Sequence, residues 1–110
     1  DNLIQNARVV GAEIKTRLQD LMQRYEVIGD VRGRGFMMAV ELVKDRRTKE
    51  PAPEITAEIF ERTRQNGLVM SKSGNDRNVL RMVPPLCLSM EDVDPVIEAF
   101  DKSFREAAAV

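Results

Sequence analysis

The run Asn78-Val79-Leu80-Arg81-Met82-Val83-Pro84-Pro85-Leu86 sets one guanidinium inside an apolar stretch. Val, Leu and Met suit a half-buried or fully buried strand. Pro84 and Pro85 cannot donate to a ladder and end it. Strand alternation puts Arg81 on one face with Val79 and Val83 and sends Leu80 and Met82 to the other. A buried cation needs a counter-charge, because an unpaired one is very costly, and this strand contains no acid. Pattern alone leaves two readings open: a structural ion pair with Glu41 across the sheet, or a site for an anion arriving from outside. The planar fork of an arginine matches a carboxylate bidentately, so a substrate acid group is the natural guest in the second reading.

The other candidate residues carry less. Glu41 sits in an apolar run with no second acid placed by spacing, which points to a structural role or to exposure at a sheet face. The pair Gly33-x-Gly35 lacks the third glycine and the directly following helix of a dinucleotide fingerprint, so it reads as a tight turn into a strand. Arg32 and Arg34 beside it read as surface or interdomain contacts, and Arg46 and Arg47 as part of a solvated loop. Cys87 reads as a small core residue, and the six methionines as core filler and interface. The chain has no His, hence neither the commonest general base nor the commonest transition-metal ligand. Its single Cys has no His with which to form a nucleophile pair. No catalytic set and no metal site are expected within these residues.

At 110 residues the chain is one domain, large enough for a modest core. Its 17 basic and 18 acidic residues nearly cancel, and with no Trp and one Tyr it offers neither a basic footprint nor stacking platforms for nucleic acid. No apolar stretch approaches the roughly 20 residues that span a membrane, and no signal peptide is visible. The lone cysteine fits a reducing, cytoplasmic setting. The chain starts at Asp1 in residues that already look helical. That is expected of an excised piece of a longer protein, or of N-terminal processing.

Six elements are predicted. Residues from Asn2 to Tyr25 place Leu3, Ile4, Ala7, Val10, Ile14, Leu18, Leu21 and Met22 on one helical stripe, with Gly11 permitting close approach of another backbone. The glycine-punctuated segment Val27 to Gly35 leads into a strand from Phe36 to Val43, apolar on both faces except at Glu41, so each face should be covered. Lys44 to Pro53 is a surface loop. Glu54 to Asn66 is a helix with Ile55, Ile59 and Phe60 inward, stopped by Asn66-Gly67. Leu68 to Lys72 forms a short strand, Ser73-Gly74-Asn75-Asp76 a turn, and the Arg81 strand its hairpin partner. The last helix opens at Ser89 with Asp92 three residues on, as in a capping box, or alternatively at Asp94 with Pro95 in first position. Val93, Val96, Ile97, Phe100 and Phe104 face inward. The architecture is α+β: a small, mainly antiparallel sheet with helices packed on one face.

Two separated runs resemble a known family. Ile28 to Leu42 (IGDVRGRGFMMAVEL) is similar to the start of the C-terminal domain of class III aminotransferases, the pyridoxal-phosphate enzymes that include ornithine, 4-aminobutyrate and alanine–glyoxylate aminotransferases. Asn78 to Leu86 resembles a later signature of the same domain. The opening Asn2-Leu3, Asn6-Ala7-Arg8 and Gly11, and the closing Ser89 to Asp94, fit the same pattern, so the resemblance covers essentially the whole chain. It implies the small domain of a fold-type I enzyme, with residues 1–25 a helix linking to a large domain. It implies that Arg81 binds the carboxylate of a small amino or keto acid substrate. The cofactor, pyridoxal 5′-phosphate, its Schiff-base lysine, the acid facing its ring nitrogen and its phosphate loop belong to the large domain and match nothing here. The intact enzyme would be a homodimer, with the large domain as this chain's partner, and the fragment alone would be inactive. Two other readings stand beside this one: an independent ligand-binding module with Arg81 as anion anchor, and a scaffold with Arg81 in an internal ion pair.

Overall fold

A computed structural model describes residues 2–35, 37–68, 70–73, 78–82 and 89–108, the side chains of residues 2, 3, 72, 73 and 108 excepted. The elements run α1 (Asn2–Arg24), β1 (Ile28–Arg34), β2 (Met37–Asp45), β3 (Glu50–Pro51), α2 (Pro53–Gln65), β4 (Met70–Ser73), β5 (Val79–Met82), a 3₁₀ turn (Met90–Asp92) and α3 (Val93–Ala108). Four strands pair antiparallel in the order β1-β2-β5-β4, and β3 adds to the far end of β2. The expected α+β class and antiparallel sheet are what the chain forms.

Two strands were not expected: the short β3, within the segment read as a surface loop, and β1. Ile28–Arg34 forms β1, although three glycines punctuate the segment from Gly29 to Gly35. A register shift between Ile28 and Asp30 absorbs Gly29, and the remainder pairs in step with β2 from Asp30↔Glu41 to Arg34↔Met37. The local cost of glycine in a strand is outweighed by a complete ladder to a strongly apolar neighbour. Gly35, at φ +55, makes the turn between the two strands.

The helices cover one sheet face. Val31 of β1, Met38, Val40 and Leu42 of β2, and Leu80 and Met82 of β5 point into a single core. Val10, Ile14, Leu18 and Leu21 meet them from α1, Ile59 from α2, and Val93, Ile97, Phe100 and Phe104 from α3. Phe100 and Phe104 stack at 5.4 Å between ring centroids, and Tyr25 lies 5.3 Å from Phe104. Full burial of each such side chain stabilises by roughly 1.5–3 kcal/mol. The predicted α1 stripe holds from Ala7 onward. Ile4 departs from it at 69% exposed, because its turn of α1 extends beyond the core.

Gly11 is where α1 meets the β1–β2 turn. A Cβ built there would stand 1.9 Å from the Gly35 carbonyl oxygen, so only glycine fits. At the other end of α1, Arg46 is exposed as expected but is also engaged. Its guanidinium donates to the carbonyl oxygens of Met22 and, at 3.1–3.2 Å, of Tyr25, Glu26 and Ile28. Met22 is in the last turn of α1, whose carbonyls lack intrahelical partners; Tyr25 and Glu26 follow in the link to β1, which Ile28 opens. Ser89 opens the C-terminal helical segment rather than Asp94. The Ser89 N–H donates to Asp92 Oδ2 at 2.8 Å and the Asp92 N–H to the Ser89 carbonyl at 2.9 Å, leaving Pro95 in the first turn of α3. Of the turn predicted at Ser73 to Asp76, Ser73 ends β4, and residues 74–76, like Val83, Pro84, Pro85 and Cys87, lie outside the described residues.

Candidate functional site

The sheet face away from the helices carries the charged residues. Pairing sets Arg32, Ala39, Arg81 and Ser71 in one row across β1, β2, β5 and β4. The next row holds Asp30, Glu41 and Val79. Arg34 stands opposite Met37 at the strand ends. The outer face of β2 itself carries Met37, Ala39 and Glu41, as the sequence pattern gives it, and the other charges come from the neighbouring strands. Among the described residues the open face offers Met37, 72% exposed, beside half-buried Ala39 and buried Val79, set among three arginines and two acids. Residues 38, 40 and 42 of β2 meet the core, while residues 37, 39 and 41 alternate onto the charged face.

Arg81 shares its face with Val79, as alternation requires, but it is exposed while Val79, Leu80 and Met82 are buried. The premise that burial forces a counter-charge on it does not hold. The ion pair with Glu41 does not form either. Glu41 accepts from Arg32 Nη1 at 2.9 Å, and the same nitrogen reaches Asp30 Oδ2 at 3.0 Å. The Arg32 guanidinium is held above its ordinary pKa chiefly by its hydrogen bond to Glu41 and next by that to Asp30. Among the described residues Arg81 has no ion-pair or hydrogen-bond partner. Arg32 thus takes the part that pattern reading offered to Arg81. The cue was an Asp30-x-Arg32 alternation, legible only once Ile28–Arg34 is recognised as a strand.

Where α1 begins, a groove of about 660 Å³ runs against the β1–β2 turn. Ile4, Ala7 and Met38 form apolar walls, with Arg8, Lys15 and Arg34 around them. The Lys15 ammonium lies 3.4 Å from the Gly33 carbonyl oxygen, and no carboxylate lines the groove among the described residues. The glycine turn opens onto a strand rather than a helix N-terminus, and Lys44, paired with Glu50, stands on the surface. Among the described residues no helix is long and apolar enough to cross a membrane, and no cluster of His, Cys, Asp or Glu is placed to hold a metal ion.

Comparison with known proteins gives a consistent picture. Residues 1–104 match the family model described as Aminotransferase class-III. The chain is 44% identical over 106 residues to alanine–glyoxylate aminotransferase 2 homolog 2, mitochondrial, of Arabidopsis thaliana, covering 96% of this chain and 22% of that protein. It is 39% identical over 106 residues to an alanine/serine racemase of Pyrococcus horikoshii, with the same two coverages of 96% and 22%. Among solved structures, an amine transaminase from an uncultivated Pseudomonas species, in its PLP-bound form, superposes with a TM-score of 0.86 at 32% identity. That match covers 96% of this chain and 24% of the other. The chain therefore spans about a quarter of the length of the proteins it matches.

Proposed function

This chain belongs to the class-III aminotransferase family, and we propose that it is the substrate-positioning C-terminal domain of a pyridoxal-phosphate-dependent transaminase, with Arg81 as the group that receives a substrate carboxylate. The observation that carries the reading is Arg81 itself: an exposed guanidinium on a rigid strand, with both strand neighbours buried and no partner among the described residues. An exposed arginine loses little hydration while it waits, and it forms charge-assisted, two-pronged bonds when a carboxylate arrives.

The cofactor supplies the chemistry of amino-group transfer, and the residues that hold it belong to a large domain outside this chain. What these residues do is bind and orient. The β2 and β5 ladder fixes the Arg81 backbone, with Leu80 and Met82 anchoring the strand from beneath. In this reading the large domain is the chain's partner within a homodimeric, cytoplasmic enzyme, the substrates are an amino acid and a 2-oxo acid, and the 110-residue chain alone is inactive. The racemase among the relatives keeps amino acids as the substrate class while changing the reaction, so the test must follow the carboxylate. In the full-length enzyme, Arg81→Ala is expected to cost on the order of 2–5 kcal/mol in kcat/KM for carboxylate substrates. Unchanged kcat/KM for every carboxylate substrate would overturn the assignment.

A further inference from the structure

We infer that Arg32 is a positioning residue that keeps Glu41 away from Arg81 and so leaves Arg81 free for an external carboxylate; this rests on the reading of Arg81 given above. Glu41 lies on β2, one row from both arginines: Arg32 is diagonal to it on β1, and Arg81 is diagonal to it on β5. Diagonal neighbours on one sheet face lie about 7–8 Å apart, within reach of long side chains. The register therefore gives Glu41 two arginines at equivalent positions, and it takes Arg32, at 2.9 Å.

Asp30 decides the choice. It stands directly opposite Glu41 on β1, and like charges in that position repel. Arg32 Nη1 lies 3.0 Å from Asp30 and 2.9 Å from Glu41, so one cation joins two acids that would otherwise push apart. Without Arg32, repulsion from Asp30 drives Glu41 toward β5, where Arg81 stands diagonal to it and competes for it with Arg46 and Lys49, which line a pocket with Asp30 and Glu41. Glu41 would then occupy the Arg81 guanidinium as an internal competitor for the substrate's carboxylate. Ala39, which lies between Arg32 and Arg81 in their row, has no side chain long enough to block that move.

The test uses the full-length enzyme and a carboxylate substrate. Arg32→Met is expected to raise KM about tenfold with kcat within twofold, because occupation of Arg81 weakens binding without touching the reacting atoms. Adding Glu41→Gln to Arg32→Met restores KM, and Arg32→Lys keeps most of it. In the 110-residue chain, the Arg81 Nε–Hε resonance should respond to Glu41→Gln in the Arg32→Met background and stay unmoved in the parent. If Arg81→Gln raises KM while Arg32→Met does not, or while Glu41→Gln fails to restore the Arg32→Met variant, the shielding role is wrong and the Arg81 assignment stands. If Arg81→Gln itself leaves KM unchanged, the assignment of Arg81 falls and this inference falls with it.

Discussion

Gly11→Ala sets two well-measured effects against each other with opposite signs. Within a helix, alanine is favoured over glycine by about 0.8–1 kcal/mol, and Gly11 lies inside the 23-residue α1. Helix propensity alone therefore predicts a more stable protein. Tertiary contact predicts the reverse. The new Cβ would stand 1.9 Å from the Gly35 oxygen and 2.5 Å from its carbonyl carbon, and real Cβ contacts essentially never fall below 3.0 Å. The neighbouring group must withdraw by at least 1.1 Å, and it is backbone, so no rotamer change relieves it. Gly35 holds φ +55 between β1 and β2, so moving it displaces the hairpin whose strands carry Val31, Met38 and Val40 into the core. Overpacking of this kind costs typically 1–3 kcal/mol, occasionally more. Because the group that must yield is backbone, the cost falls in the upper part of that range, at about 2–3 kcal/mol; less the propensity gain of about 1 kcal/mol, the net loss should be about 1–2 kcal/mol, which lowers Tm by roughly 4–10 °C at this size. Urea denaturation of Gly11→Ala followed by circular dichroism measures it, with an unchanged m-value expected. Ala12→Gly, one residue on at an exposed position, is the control for propensity alone. A Gly11→Ala protein as stable as the parent or more so would refute the close approach of α1 to the turn.

Two further outcomes are expected. Arg46→Met removes the donor shared by the carbonyls at the end of α1 and should destabilise by about 1–2 kcal/mol, with faster amide exchange at residues 25–28 and only partial recovery in Arg46→Lys, which lacks the fork. The Tyr25 hydroxyl is pushed up from 10.0 to about 12, first by burial and then by its 2.5 Å hydrogen bond to Asp101. Because the folded state holds this proton more tightly than the unfolded chain, its contribution is complete below pH 10.0 and is lost as pH rises toward about 12. Denaturant titrations across that window should show a loss of about 2–3 kcal/mol that Tyr25→Phe does not share.

Much of the fold was legible because its signals are local. The heptad-like spacing of Val10, Ile14, Leu18 and Leu21, the Ser89–Asp92 pair and the alternation around Arg81 each act within a few residues, and each operates in the folded chain. Local rules failed where a distant partner decided the matter. Glycines argued against a strand at 28–34, and the β2 ladder overrode them. A charged loop looked solvated at Arg46, yet the end of α1, about 20 residues earlier, comes to meet it. The candidate site divided in the same way. The face that Arg81 occupies was readable from alternation, whereas its exposure and the lack of a side-chain partner among the described residues were not.

By itself the sequence determined the α+β class, the helical stripe of α1 and the face on which Arg81 stands. These follow from periods of 3.6 and 2, which are properties of neighbouring residues. Only the tertiary structure decided that charges line the sheet face away from the helices, and that Gly11 meets the Gly35 backbone. It also decided that Glu41 pairs with Arg32 instead of Arg81. That choice depends on β2 lying between β1 and β5, and on Asp30 standing in register with Glu41. Strand order and register come from how the whole core closes, so residues far apart in the chain settle which charge meets which.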